Sequence, residues 1–312
     1  MKATAFAPAT VANVAVGFDI LGFAIKGLGE TATVEKIPGT THVILQPIDG
    51  FPGLSLDPLK NTATAGLVRL IQEKKLNFGF RVTLQKKIPV GSGLGGSATS
   101  AVAALVAANA LLRKKLTKDE LLDFSLTGEE VASQSRHADN IAPCLEGGLV
   151  FVNKGPDFVV QKIKTPRSLS CVILLPALSI NTKDSRASLD HSVPLSLMIQ
   201  QMANMAGFIL GCGNSDFSMM RKFLKDVVIE PQRSGQIPYF SELQAAAMKA
   251  GALGCSISGS GPAIFALAQD SKSAIQIHRA FLKVVKDHQI LIRNSWVSPI
   301  SQQGASILRG KK

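Results

Sequence analysis

The sequence predicts an α+β protein of two domains, and three observations carry that prediction. The chain has 312 residues, about twice the ~150 of an ordinary domain. Hydrophobic residues make up 46% and charged residues 18%, so each half can bury a core, and disorder, which needs low hydrophobicity and high charge, is excluded. Runs of extended segments are interleaved with helix pairs rather than with single crossover helices, which favours α+β over strict βαβ alternation.

Residues 1–45 alternate extended runs (3–7, 18–25, 32–36 and 42–46) with turns marked by Gly27, Gly29, Pro38 and Gly39. From 61 to 75, Ala65, Leu67, Val68, Leu70 and Ile71 fall at helical spacing. Residues 80–84 are extended, and Pro89 ends that run. An Ala-rich helix follows at 97–112, then a second helix whose start, Thr117-Lys118-Asp119-Glu120, is a capping box. Strands return at 148–153, 157–162 and 171–175. Pro156, Lys164, Pro166 and Arg167 mark a seam that divides the chain into 1–165 and 166–312. The second half opens with 182–188, followed by helical stretches at 195–211 and 218–225. A helix at 239–250 leads into a strand-turn-strand at 255–268. An amphipathic helix at 273–287 and a strand at 290–297 complete the series.

Against 22 Asp and Glu stand 34 Lys and Arg, a net charge of +12. The basic residues are scattered as pairs (Lys74-Lys75, Lys86-Lys87, Lys114-Lys115, Arg221-Lys222, Lys311-Lys312), and no basic run reaches five. With one Trp and one Tyr, a base-stacking platform would rest on the 15 Phe. A solvated positive surface that attracts anionic substrates is the expectation, with no nucleic-acid partner. Cys144, Cys171, Cys212 and Cys255 are too far apart for a disulfide framework, and neither Cys-x-x-Cys nor His-x-x-x-His occurs, so no structural zinc is expected. The apolar stretches 171–178 and 98–112 fall short of a span of ~20 residues. Pro8, Asn13 and Asp19 interrupt the faint signal-like start. The expectation is a soluble cytoplasmic chain without a membrane partner.

The densest chemical signal is Pro89-Val90-Gly91-Ser92-Gly93-Leu94-Gly95-Gly96-Ser97-Ala98, four glycines in six residues between a strand and a helix. Backbone amides freed by glycine at a helix N-terminus bind anions, phosphate above all. Gly91, Gly93 and Gly96 match G-x-G-x-x-G, but Asp119 and Glu120, at the distance of the ribose acid, sit in a capping box instead of closing a strand. A Walker A loop needs Lys where Ser97 stands. A third reading is a proline-led phosphate loop, P-x-G-x-G-L-G-S-S-A, with Gly96 in place of the first serine. From the loop alone a purely structural glycine turn remains open.

Two further segments flank this loop: Pro8-Ala9-Thr10-Val11-Ala12-Asn13-Val14-Ala15-Val16-Gly17-Phe18-Asp19 before it, and Ser256-Ile257-Ser258-Gly259-Ser260-Gly261-Pro262-Ala263 after it. In this order the three resemble the three motifs of the GHMP small-molecule kinases. Within that superfamily the chain most resembles the homoserine kinases. Residues 8–19 follow P-A-T-x-A-N-x-G-P-G-F-D, with Ala15-Val16 for Gly-Pro. Residues 137–148 follow H-x-D-N-V-A-P-x-L-x-G-G. Residues 182–189 follow T-x-x-A-R-x-x-L, with Ser185 for Ala and Asp190 where a Pro is usual. Glu230-Pro231-Gln232-Arg233 follows E-P-x-R. Gln134-Ser135 stands where the family often has a glycine. The likeness runs from residue 7 to about residue 266.

The resemblance implies a two-domain GHMP kinase fold with a ferredoxin-like C-terminal domain, a homodimer, and phosphorylation of the L-homoserine hydroxyl by ATP and Mg²⁺ in threonine biosynthesis. By the same resemblance, the loop from Pro89 to Ala98 cradles the triphosphate. Ser97 and Glu129, or the neighbouring Glu130, hold the metal, whose few oxygen ligands suit a hydroxyl and a carboxylate. Asn61 matches an adenine-contacting asparagine and equally reads as a helix N-cap. The acceptor is a zwitterion. Arg186 and Arg233 can take its carboxylate bidentately, and Asp19, beside Asn13, can take its ammonium. His137, Asp139 and Gly259 border the same pocket. Where mevalonate kinases use an aspartate base, Asn140 stands here; an amide takes no proton at pH 7, so Asn140 is expected to orient the hydroxyl. The competing expectations are another GHMP kinase with a different acceptor and, outside enzymes, a basic nucleic-acid-binding protein.

Overall fold

A computed structural model describes residues 1–133, 136–153 and 159–308. Gln134 and Ser135, Pro156 of the seam, the first two residues of the strand expected at 157–162, and Lys311-Lys312 lie outside the described residues. The first half runs β1 (Lys2–Ala12), β2 (Leu21–Pro38), β3 (Val43–Leu45), α1 (Thr62–Glu73), β4 (Phe78–Gln85), α2 (Gly96–Leu111), α3 (Lys118–Ser133), α4 (Ala138–Glu146), β5 (Leu149–Asn153) and β6 (Val159–Ile163). The second runs β7 (Ser170–Pro176), α5 (Thr182–Ala187), α6 (Leu195–Asn214), α7 (Phe217–Phe223), α8 (Glu230–Arg233), α9 (Phe240–Lys249), β8 (Gly254–Ile257), β9 (Ile264–Ala268), α10 (Ser271–Asp287), β10 (Ile292–Pro299) and β11 (Ser306–Ile307).

Among the described residues, the first sheet has the order β11-β1-β2-β4-β3, with β5 on the start of β2 and β6 beyond it. The breaks expected within the first 38 residues are fewer than the glycines suggest. β2 continues through Gly27 and Gly29, with a register shift against β1 between Pro8 and Thr10. Gly27, exposed and at φ +79°, bends the strand at that irregularity instead of ending it. α2 packs between this sheet and α1, α3 and α4, and ten of its sixteen residues are buried. A helix apolar all round belongs in such a central position. The capping box of α3 forms: Glu120 N donates to Thr117 Oγ1 at 3.2 Å and Thr117 N to Glu120 Oε2 at 2.8 Å.

α4 is absent from the sequence reading because Pro143, inside it, reads as a breaker. A proline there deprives the Asp139 carbonyl of its helical donor, and that carbonyl packs against β2 at Gly22, where a Cβ would come within 1.8 Å of it. The glycine thus lets α4, with Asp139 and Asn140 in its first turn, lie directly on the sheet.

The second half forms the sheet β10-β7-β9-β8. Counted within that half, the order is 4-1-3-2, with helices between its first and second and its third and fourth strands, the ferredoxin-like arrangement. Phe23 of β2 meets Phe265 of β9 edge to face, centroids 5.9 Å apart, in a core shared by both halves. β11 was unforeseen; two residues carry no periodicity, and they return the chain to β1 through Ala5–Ile307 and Phe6–Ser306 pairing. α6 also departs from expectation. At 20 residues and mean hydropathy 1.3 it is long and apolar enough to cross a membrane by length and composition. Its Phe208 and Cys212 pack into the shared core, and Asn204 Nδ2 donates to the Lys225 carbonyl at 2.7 Å.

Candidate active site

The glycine-rich loop leaves β4, crosses between the halves and enters α2. Gly95 caps α2 in a left-handed conformation, φ +67°. A Cβ on Gly95 would lie 2.1 Å from Thr10 Oγ1, and one on Gly93 2.4 Å from the Ser258 carbonyl. Both positions therefore need glycine, for conformation and for space. The first-turn amides of α2 have no intrahelical partners and carry the positive end of the helix dipole. Both ends of the loop are tied to one carboxylate. Glu30, 1% exposed, accepts from the Ile88 amide (3.0 Å), Lys86 Nζ (3.0 Å), Thr99 Oγ1 (2.9 Å) and Ser100 Oγ (2.7 Å). Lys86 Nζ donates in addition to the Gly96 carbonyl at 3.1 Å. From the second half, the Ile180 amide donates to Gly91 O (3.3 Å), the Ala263 amide to Ser92 O (3.1 Å) and Ser258 Oγ to Gly93 O (2.6 Å).

Beside the helix start, Ser97 Oγ donates to Glu129 Oε2 at 2.8 Å; Glu129 is buried, whereas Glu130 is exposed. Among the described residues, no group of three or more His, Cys, Asp or Glu could hold a metal. A hydroxyl and a carboxylate next to a phosphate site are the donor set Mg²⁺ takes when substrate phosphates and waters complete its shell. The two residues fit that ion.

At the other end of the cleft, Asn13, Val14 and Ala15 all have φ between +47° and +68°, a run of non-glycine left-handed residues. Asn13 closes the turn by accepting from the Asp19 amide at 3.0 Å and donating to the Gly259 carbonyl at 3.0 Å. Ala15 thus takes the left-handed conformation where the family glycine would stand, and Asp19 still faces the cleft. Asp19 Oδ1 accepts from Arg186 Nη2 at 2.5 Å, and its Oδ2 lies 3.8 Å from His137 Nε2. Arg233, 4% exposed, donates to Gly259 O at 2.9 Å, while its Nε has no hydrogen-bond partner. Its pKa is lowered by burial first and then by the charge of Arg186. The segment that presents it is anchored by Asp226, which accepts from the Val228, Ile229 and Glu230 amides. Burial outweighs those three bonds and raises the Asp226 pKa. Asn140 accepts Thr10 Oγ1 at 2.6 Å on its amide oxygen, so the amide's remaining polar group is its NH₂ donor.

One cleft of about 540 Å³ brings these ends together. It is lined by Asn13, Asp19, His137, Asp139, Asn140, Arg186, Arg233 and Gly259 at the end expected to take the acceptor, and by Pro89 to Gly93, Gly95 to Ser97, Asn61 and Glu129 at the end expected to take phosphate. Leu94 and Ala98 do not line it; both side chains are fully buried. Asn61 caps α1, accepting from the Ala63 amide at 3.0 Å and donating to Ser55 O at 2.8 Å, so its side chain serves the helix while bordering the cleft. Sequence reasoning missed four residues here: Thr10 and Phe18, both inside the first motif, and Glu30 and Lys86. The last two meet across 56 positions, and no local pattern signals that.

Residues 61–148 match the GHMP kinases N terminal domain, and residues 208–287 match the GHMP kinases C terminal domain. The chain belongs to the GHMP kinase family. Within it, the likeness is to homoserine kinases. The chain is 38% identical to the homoserine kinase of Chloroherpeton thalassium, covering 98% of this chain and 99% of that one. It is 40% identical to that of Xylella fastidiosa, covering 98% and 94%. The crystal structure of homoserine kinase from Cytophaga hutchinsonii superposes with a TM-score of 0.94 at 40% identity, covering 98% of this chain and 97% of that one.

Proposed function

We propose that the protein phosphorylates the side-chain hydroxyl of L-homoserine with ATP, giving O-phospho-L-homoserine and ADP for threonine biosynthesis. A soluble cytoplasmic enzyme, a homodimer and a division into units 1–165 and 166–312 belong to the same proposal. The observation that carries it is the Asp19–Arg186 pair, with the partnerless Arg233 Nε beside it, in the same cleft as the phosphate loop. An acid and two guanidiniums match a zwitterion. Its carboxylate takes the place of Asp19 on Arg186 and engages Arg233, and its ammonium goes to Asp19.

The loop amides and the start of α2 would hold the triphosphate. Ser97 and Glu129 would hold Mg²⁺, which would supply neutralisation of charge on the phosphate oxygens. Thr10 fixes the Asn140 amide so that its NH₂ faces the acceptor as a donor to the hydroxyl oxygen, aligning a lone pair on γ-phosphorus without accepting a proton. As the new O–P bond forms, the bond to the β-phosphate oxygen breaks, and the hydroxyl proton passes to phosphate or solvent.

An ADP-release assay with homoserine, mevalonate, galactose and water as acceptors tests the reading. Homoserine should dominate. Mevalonate has a carboxylate but no ammonium for Asp19 and should trail by about 10²-fold or more, because a site built for a polar group rejects an analogue lacking it. Equal turnover of homoserine and mevalonate would overturn the assignment.

A further inference from the structure

The pocket places two guanidiniums where like charges repel, and the side chain that both lie over has no role in the functional reading so far. The guanidinium carbons of Arg186 and Arg233 lie 5.1 and 5.2 Å from the centroid of the Phe18 ring. We propose that Phe18 is a specificity-determining residue of the acceptor site: its ring holds Arg186 and Arg233 together as a preassembled receptor for one α-carboxylate. The inference rests on the reading that the acceptor is an amino acid.

Arg233 is short of partners for a buried cation, and Arg186 is half-buried. Arg233 spends one N–H on Gly259 O and leaves Nε unmatched; Arg186 has Asp19, the group the substrate's ammonium would claim. When Asp19 turns to the ammonium, the ring remains as the compensating surface that both cations share. An aromatic face attracts a guanidinium through its quadrupole, more strongly where water is excluded, and it competes for none of the N–H groups the carboxylate needs. The backbone that leads into the ring is also held in place. Gly17, just before it, is so closely packed that a Cβ there would lie 2.2 Å from Leu21 Cγ, and its amide donates to Asn13 O at 2.8 Å. Phe18 borders the cleft half-buried, next to Asp19 in the same turn and beside the two arginines. An apolar side chain of similar volume would fill the space without offering a face to either cation.

Phe18→Leu and Phe18→Tyr, assayed with homoserine and with its carboxylate-free analogue homoserinol, test this. Phe18→Leu should raise the homoserine KM about 10-fold, with kcat and the ATP KM within about twofold of wild type, the size expected for two cation–π contacts. Phe18→Tyr should restore the KM. With homoserinol, wild type and Phe18→Leu should perform alike, because no carboxylate calls on the arginine pair. The inference is overturned if Phe18→Leu leaves the homoserine KM unchanged, raises the ATP KM in step, or impairs homoserinol equally. It also fails if Phe18→Tyr is as impaired as Phe18→Leu. Wild type failing to use homoserine would overturn the functional reading, and this inference with it; a failure confined to the variants overturns the inference alone.

Discussion

At the phosphate end of the cleft, one buried carboxylate, Glu30, accepts from the strand that leads into the loop and from the helix that leads out of it. At the acceptor end, Asp19, Arg186 and Arg233 come from three separate segments: Asp19 pairs with Arg186, a nitrogen of Arg233 has no partner, and a ring lies beside both cations. The first arrangement is part of the fold and complete without ligand. Under the proposed function, the second is completed by its substrate. Substitutions should therefore cost stability at one end and substrate affinity or turnover at the other.

The largest effect is expected at Glu30. Glu30→Ala leaves the Lys86 ammonium, 5% exposed, without its counter-charge, strips the Ile88 amide of its acceptor and leaves the Thr99 and Ser100 hydroxyls to the Gly96 carbonyl. Removing one member of a buried pair costs about 3–5 kcal/mol, which urea unfolding would register as a lower midpoint. Replacing both charges, Glu30→Leu with Lys86→Met, should recover much of that loss, since a buried pair is often replaceable by apolar residues of similar volume. A loss below about 1 kcal/mol for Glu30→Ala would mean that the loop is anchored elsewhere.

Thr10 tests the point where the two ends meet. Its hydroxyl, fully buried, donates to Asn140 and lies against Gly95 of the loop. Thr10→Val keeps the shape and removes the donor. The Asn140 amide can then turn over, and kcat should fall about 10-fold through lost alignment while both KM values hold. Thr10→Ser should restore turnover. Equal loss in Thr10→Ser and Thr10→Val would tie the effect to packing of the methyl group rather than to the hydrogen bond.

The two ends also differed in how far they could be read beforehand. The phosphate loop is contiguous, and its glycines have a local cause, so the strand, loop and helix around it were legible within one or two residues. The acceptor residues are legible singly, through motifs. Their convergence on Gly259 O, where Asn13 and Arg233 both donate, depends on packing between the halves. Glu30 shows the limit. In the sequence it is one polar residue in an alternating strand, and only the fold brings Lys86, Thr99 and Ser100 to it. α4 was lost for the opposite reason: Pro143 is a strong local signal, overridden because β2 supplies a glycine for the carbonyl to rest on. Gly27 was misread in the same way, as a strand end rather than a bend.

The smallest effect should come from Ser185, on the acceptor side. Ser185 stands where the resembling family has alanine, one residue before Arg186. Its hydroxyl is buried, the residue being 2% exposed, and has no hydrogen-bond partner. A buried hydroxyl without a partner costs about 1–3 kcal/mol relative to a satisfied one, and serine is also a poorer helix former than alanine. Ser185→Ala should therefore raise stability, by about 1 kcal/mol once the lost packing of the oxygen is set against the relieved desolvation. The homoserine KM should not move, because Ser185 does not line the cleft. At the phosphate end the same kind of change, Ser100→Ala, removes a 2.7 Å bond to Glu30 and should destabilise. Opposite signs for these two serine-to-alanine changes would support the division between an end completed by the fold and an end completed by its ligand. A loss of stability in Ser185→Ala, or a rise in homoserine KM, would show that the acceptor end is also held by hydrogen bonds before substrate arrives.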